Sequence, residues 1–296
     1  MTRAQHKPVL GVIGGSGVYD LEGVKTWHRR AVTTPFGDPS DLIAEGVLDG
    51  TKLFFLPRHG RNHRLLPSEI NYQANIFALK TLGVTHLVSV SAVGIMREGI
   101  QPGDMVLPDQ IFDRTKGFRR STFFGDGIVG HVALADPYSL VLRELIRDSC
   151  QSLGITAHFG GTYVCIEGPA FSTRAESEYY RRTLNPAVIG MTGVPEAQLA
   201  REAEISYATL ALGTDYDCWH TNEDDVSVEA VLEVLKQNSA KANRIISAVA
   251  QSLAPHHFDC PAQNAVARAI VTAPAAIEAS GRRHALETLL GRSLLS

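Results

Sequence analysis

The chain has 296 residues, 44% of them hydrophobic, enough for a substantial core and still short enough for one α/β domain spanning 1–296. Its 28 basic and 31 acidic residues are interspersed and leave a formal net charge of -3, so no field of one sign invites nucleic acid or an anionic membrane. A small soluble substrate fits this surface better.

Apolar β-forming runs that end in glycine or polar residues recur along the chain and read as buried strands delivering loops to one edge of a sheet. The first are VLGVIGGSG at 9–17, KLFFLPRHG at 52–60, HLVSVSAVG at 86–94 and DMVLPDQI at 104–111. After Pro67 and Ser68, the stripe Ile70, Ala74, Phe77, Ala78 and Leu82 predicts a helix that Gly83 stops. Leu142, Leu145, Ile146 and Leu153 predict a second, ending at Gly154. Strands return with TYVCIEGP at 162–169, AVIGMTG at 187–193 and ISYATLALGTD at 205–215. Between the last two, VPEAQLAREAEI predicts a helix with Pro195 at its first position and Glu196 near the positive end of its dipole. From Ser227 onward, Val228, Val231, Leu232 and Leu235 open a long helix that continues through Ile245, Ile246 and Val249. The segment 254–265 breaks the pattern as a linker or surface excursion before a final helix near 275–290. Strands alternating with helices predict an α/β sandwich.

Cys150, Cys165, Cys218 and Cys260 form no CxxC pair and indicate neither a disulfide framework nor a zinc site. The opening MTRAQHKPVL lacks a signal-peptide apolar region, and no apolar run approaches the ~18 residues of a membrane span, so a cytoplasmic protein is expected.

Four places carry chemistry. GVIGGSG departs from the GxGxxG spacing and lacks a P-loop lysine; it is either a turn whose backbone donors and Ser16 hydroxyl approach phosphate, or a tight structural turn. PRHGRNH concentrates Arg58, His59, Arg61 and His63 beyond a strand, where Arg58 can hold phosphate through two directed hydrogen bonds, unless the cluster is simply solvated. Ser91 ends its strand with a hydroxyl that either completes a phosphate site or serves the backbone. Asp215 and Asp217 alternate onto one side if their strand continues, close enough to read one planar heterocycle. Their proximity can raise one carboxyl pKa and make that member a proton donor; the plainer reading is a strand terminus.

Taken in order, IGGSGVYD, TPFGDPSD, PRHGRNH, SEINYQANIFALK, SAVGIMREGIQPGDMVLPDQ, IEGPAFSTRAES, GMTGVPEAQLAREA and TDYDCW resemble the methylthioadenosine phosphorylase group within the trimeric nucleoside phosphorylases. The resemblance runs from about Val9 through Leu253 and weakens over 254–296. It implies a mixed central β-sheet flanked by helices, a homotrimer with sites beside subunit interfaces, and phosphorolysis of S-methyl-5′-thioadenosine to adenine and 5-methylthio-D-ribose 1-phosphate. Inorganic phosphate is then a co-substrate, and neither cofactor nor metal is called for.

Residue matching implies a phosphate site of Ser16, Arg58, His59, Ser91, Ala92 and Thr192, with serine at 16 and 91 where the adenosine-type pattern often has threonine. It implies Met191 against the ribose, and Ala92, Phe171, Ile189, Asp215 and Asp217 around the base. Asp215 would donate to purine N7 and Asp217 would read the exocyclic amino group. Val228, Val231 and Leu232 match an apolar wall near the 5′ substituent, and His131 matches a residue given by the neighbouring subunit. Thr192 has a second reading as a helix cap. Gly190 departs from the family's usual asparagine and is expected to alter the pocket. Two other functions fit less of the pattern: a purine nucleoside phosphorylase acting on methylthioinosine or inosine, and a non-catalytic purine-binding protein.

Overall fold

The apolar runs become the centre of a mixed sheet in the computed structural model, which describes residues 7–15, 24, 26–220, 228–253 and 261–295. Four parallel strands form that centre: β4 (Thr51–Pro57), β1 (Leu10–Gly14), β5 (His86–Ile95) and β11 (Ser206–Tyr216), side by side in this order. They are nearly continuous in apolar residues because helices cover both of their faces. Beyond β4, the antiparallel β3 (Ile43–Leu48) and β2 (His28–Arg30) close one edge. Beyond β11, β6 (Met105–Leu107) pairs antiparallel and β8 (Ala157–Phe159) pairs parallel to β6.

The sheet forks at β5. Strand β1 accompanies it only from His86 to Val90, and β10 (Val188–Gly190) then pairs antiparallel with Gly94 and Ile95. Two further strands, β9 (Thr162–Ile166) and β7 (Gln110–Arg114), continue outward from β10. Along its other flank β5 keeps β11 throughout, with a bulge between Gly213 and Asp215.

On one face, α1 (Tyr72–Thr81), α4 (Gly193–Glu202) and α7 (Arg283–Leu290) pack Ile76, Leu79, Leu199, Leu286 and Leu289 against Phe54 and Leu56. The other face carries α2 (Leu140–Ser152) and α5 (Val228–Leu253), whose Ile146, Ile245 and Val249 meet Leu10, Val12, Val88 and Leu210. A third cluster joins α3 (Arg174–Leu184), through Tyr180, to Val93, Ile95 and Val188. Side-chain caps fix three of the starts: Asn71 on the Ala74 N–H, Ser139 on the Leu142 N–H, and a reciprocal Thr173/Glu176 capping box.

The structure departs from expectation at several elements. The run 104–111 divides into β6 and β7 at Pro108, which has no N–H to give a ladder. Helix α4 is assigned from Gly193, yet Val194 is non-helical (φ -116, ψ 132), so its regular turns start at Pro195 as the sequence predicts. The final helix breaks at Ser280 and Gly281 into α6 (Pro274–Ala279) and α7. Val266, Ala269, Ile277 and Leu286 of the C-terminal stretch enter the same apolar cluster as α1 and α4. A bidentate pair, Arg292 on Glu204 at 2.6 and 2.7 Å, ties it down. No helix among the described residues is long and apolar enough to cross a membrane.

Candidate active site

Because β1, β4, β5 and β11 run parallel, their carboxyl ends share one edge, the usual place for a ligand crevice in such sheets. They deliver Gly15, Arg58 and His59, Ser91 to Gly94, and Asp215 to the wall of one cavity of about 510 Å³. The fork in the sheet opens it: β1 stops opposite Val90, and the space before β10 takes over at Gly94 exposes the β5 backbone. The turn after β10 adds Met191 and Thr192, and the loop after β9 adds Pro169, Phe171 and Ser172.

At one end of the cavity the Ser91 and Thr192 hydroxyls share a hydrogen bond of 3.0 Å. Thr192 occupies the N-cap position of α4 without capping it through its side chain, so the hydroxyl is turned to Ser91 instead. His59 donates from Nδ1 to the Leu65 carbonyl at 2.8 Å and stacks on His63, centroids 4.2 Å apart. Burial pushes its pKa down to about 4, with the Arg58 charge acting in the same direction and the Leu65 bond against it, so the ring is neutral near pH 7 and Nε2 is an acceptor.

Arg58 is 1% exposed. Its Nε and Nη2 donate to the two oxygens of Glu196 at 2.9 and 3.2 Å, Nη1 to the Val90 carbonyl at 3.0 Å, and Nη2 also to Ser89 Oγ at 2.6 Å and the Ile13 carbonyl at 3.2 Å. Burial opposes its charge, yet the Glu196 carboxylate more than compensates and its pKa is raised. The guanidinium fork is thus engaged by Glu196, and Arg58 lines the cavity as a fixed wall. Arg61 pairs with Asp41 at 2.9 Å on the surface.

At the other end stand the two carboxylates. Thr214 Oγ1 donates to Asp215 Oδ1 at 2.6 Å, and Ser177 Oγ to Asp217 Oδ2 at 2.5 Å. Gly94 lies against both: a Cβ there would be 3.7 Å from Asp215 Oδ2, 3.5 Å from Asp217 Cβ and 2.9 Å from Ile189 Cγ2. Burial raises the Asp217 pKa, against hydrogen bonds from Ser177 and the Cys218 N–H and with a small push from Glu176. The cause is therefore desolvation rather than the neighbouring Asp215 charge. Half-exposed Phe171 and buried Ile189 supply flat apolar walls beside these acids.

Residues 9–251 match the Phosphorylase superfamily. The S-methyl-5′-thioadenosine phosphorylase of Geobacter sulfurreducens is 53% identical over 283 residues, covering 96% of this chain and 98% of its own length. The chain belongs to the methylthioadenosine phosphorylase family. Within that family, the S-methyl-5′-thioadenosine phosphorylase of Rhodospirillum rubrum is 50% identical, with 93% of each chain covered. A crystal structure of a methylthioadenosine phosphorylase from an antarctic soil metagenomic library superposes with a TM-score of 0.88 at 46% identity, over 95% of this chain and 99% of that one. The Schistosoma mansoni methylthioadenosine phosphorylase solved with adenine gives 0.80 at 36% identity, over 84% and 93%.

Of the residues matched to the family, Arg58, His59, Ser91, Ala92, Phe171, Ile189, Met191, Thr192, Asp215 and Asp217 all line this phosphorylase's cavity. Ser16 lies outside the described residues, as do the side chains of Val228, Val231 and Leu232, which fall on the first two turns of α5. His131 is exposed on a loop outside the cavity wall, its N–H donating to the Ala269 carbonyl at 2.8 Å. Gly190 has a physical reason: a Cβ would sit 2.2 Å from the Tyr163 hydroxyl, so the buried tyrosine ring fills the space that an asparagine side chain needs.

Glu196, Ser177, Arg119 and Glu167 support the site and were not singled out for it from sequence. Two of them left a signal: Glu196 follows the Pro195 that starts α4, and Ser177 lies within one helical turn of the Thr173/Glu176 box, which places each in the first turn of a helix.

Proposed function

We propose that this chain cleaves S-methyl-5′-thioadenosine with inorganic phosphate, giving adenine and 5-methylthio-D-ribose 1-phosphate, a pentosyl transfer in purine and methionine salvage. One observation carries this reading: a hydroxyl pair and a carboxyl pair face each other across one cavity, Ser91 with Thr192 at one end and Asp215 with Asp217 at the other.

Phosphate sits at the hydroxyl end, held by Ser91, Thr192, the backbone N–H of Ala92 and, from the strand-end turn, Ser16. His59 accepts the proton of a phosphate O–H at Nε2. Arg58, immobilised on Glu196, lends its positive potential from behind this wall. Adenine lies between Phe171 and Ile189, its amino group donating to Asp217 and its N7 facing Asp215. Met191 contacts the ribose, and Val228, Val231 and Leu232 form the apolar wall at the methylthio group, where a hydroxyl would find poor compensation for desolvation. As the glycosidic bond lengthens, charge builds on the sugar and phosphate closes on C1′ from the opposite face, so the anomeric carbon inverts. Asp215 gives N7 its proton, and adenine leaves neutral. Phosphate is consumed as co-substrate; it is not a cofactor.

The chain acts as one nucleoside phosphorylase domain in a cytoplasmic homotrimer, with His131 reaching the neighbouring subunit's site. That assembly rests on the family resemblance and on the exposure of the His131 loop.

The test is base release from methylthioadenosine and methylthioinosine, with and without phosphate, in the wild type and an Asp215→Asn variant. Phosphate-dependent adenine release that collapses in the variant is expected. Preferential hypoxanthine release would make the enzyme a 6-oxopurine phosphorylase, phosphate-independent release a hydrolase, and binding without turnover a purine-binding protein.

A further inference from the structure

Between β7 and α2 the sequence KGFRRST looks like a basic surface loop, yet Arg119 within it is buried, its side chain 2% exposed. Its hydrogen bonds reach two separate turns. Nε donates to Glu167 Oε1 at 2.8 Å and Nη2 to the Glu167 carbonyl at 2.7 Å. Nη1 donates to the carbonyls of Met191 at 2.7 Å and Val194 at 2.6 Å, with Tyr72 Oη at 3.3 Å. Glu167 is itself held, since its other oxygen accepts from the Lys116 N–H at 2.6 Å.

The two turns have different tasks. Glu167 opens the loop that carries Pro169, Phe171 and Ser172 to the base side of the cavity. Met191 and Val194 bracket Thr192, whose hydroxyl meets Ser91 at the phosphate side. The turns touch where Met191 Sδ lies against Gly168: a Cβ at Gly168 would be 2.5 Å from that sulfur. The turns leave the paired strands β9 and β10, whose register ends at Gly190 and Cys165, and the Val194 N–H reaches Cys165 Sγ at 3.3 Å; beyond those pairings the guanidinium bridges the carbonyls of both turns from behind.

We propose that Arg119 is a positioning residue which, through Glu167 and the carbonyls of Met191 and Val194, fixes the separation between the phosphate and base ends of the site. This rests on the phosphorolysis proposed above, in which C1′ travels from one end to the other. An error near 1 Å in that separation costs on the order of 10²-fold in rate even when each ligand still binds. A planar fork with five donors suits the task, and a lysine ammonium with three donors on a flexible stem cannot span the same acceptors.

The experiment uses the full-length Arg119→Lys and Glu167→Gln variants. Phosphate alone and adenine alone are titrated calorimetrically, and kcat and KM are measured for methylthioadenosine phosphorolysis. Arg119→Lys is expected to change each separate affinity less than about threefold while kcat falls on the order of 10²-fold. Glu167→Gln, which keeps an acceptor for Nε, should show the same pattern at about tenfold. An Arg119→Ala variant should regain turnover with millimolar methylguanidinium, which leaves the wild type unchanged. Wild-type turnover in both Arg119→Lys and Glu167→Gln would overturn the role, as would a loss confined to one ligand's affinity. If Arg119→Lys does not fold, Glu167→Gln decides alone. Wild-type protein is assayed first: no phosphate-dependent adenine release there would fail the functional reading itself, whereas normal release with indifferent variants fails only Arg119.

Discussion

Replacing Glu196 with glutamine tests whether Arg58 is a wall of the site held by its partner. Each member of the pair is 1% exposed, so water cannot take over the lost interaction. Removing one charge from a buried pair costs about 3–5 kcal/mol, and because glutamine still offers an acceptor to Arg58 and the Tyr207 hydroxyl, the lower end of about 3 kcal/mol applies. A chain of this size loses roughly 2–4 °C of melting temperature per kcal/mol, so thermal unfolding followed by circular dichroism should move down by about 6–12 °C. Phosphate supplies the second arm. The Val90 carbonyl that accepts from Arg58 Nη1 adjoins Ser91, so an anion at the hydroxyl pair lies close to a guanidinium that is no longer neutralised. Saturating phosphate should therefore raise the variant's melting temperature by more than the wild type's. A variant that melts within about 2 °C of wild type, or gains nothing extra from phosphate, would refute the reasoning.

Three further outcomes follow from the geometry. Ser177→Ala removes a hydrogen bond that holds the Asp217 pKa down; burial then acts with less opposition, and the acid limb of the kcat/KM profile should shift to higher pH. An unmoved limb would separate Asp217 from base recognition. Gly190→Ala places a methyl group 2.2 Å from the Tyr163 hydroxyl and 3.2 Å from Val93 Cγ1, so the denaturant midpoint should fall by an amount equivalent to about 1–3 kcal/mol. Adding Tyr163→Phe should recover part of that loss. Burial pushes Glu202 up to about 7, against hydrogen bonds from the Phe123 N–H and the Thr122 hydroxyl, whereas the ordinary value is 4.5. The folded state then holds this proton longer than the unfolded chain, so its contribution is complete below 4.5 and declines as pH rises towards 7. Melting curves across that window should flatten in Glu202→Gln.

What could be read from sequence depended on where each element's partners lie. The central strands announced themselves because burial on both faces leaves uninterrupted apolar runs. Strand β2 is three exposed residues, His28 to Arg30, with no apolar pattern to detect. Helix α3 buries only Ser177 and Tyr180, so no stripe marked it, although its Thr173/Glu176 box stood in plain view. Ser91, Thr192, Asp215 and Asp217 were legible because strand ends place them. The engagement of Arg58 by Glu196, 138 positions away, and of Arg119 by Glu167, 48 positions away, depends on tertiary packing that no local pattern encodes.

The fork at β5 sets a length scale. Ser91 and Gly94 belong to one strand, three residues apart, which at about 3.3 Å per residue spans roughly 10 Å. The distance between the hydroxyl and carboxyl ends of the cavity thus runs along a single pleated backbone, flanked by β11 on one side and by β1 and then β10 on the other. Substitutions on the buried face of α5, which packs on one side of the sheet, leave that yardstick as it is. A residue inserted into β5 between Ser91 and Gly94 would lengthen it and turn the side chains beyond the insertion to the opposite face of the sheet.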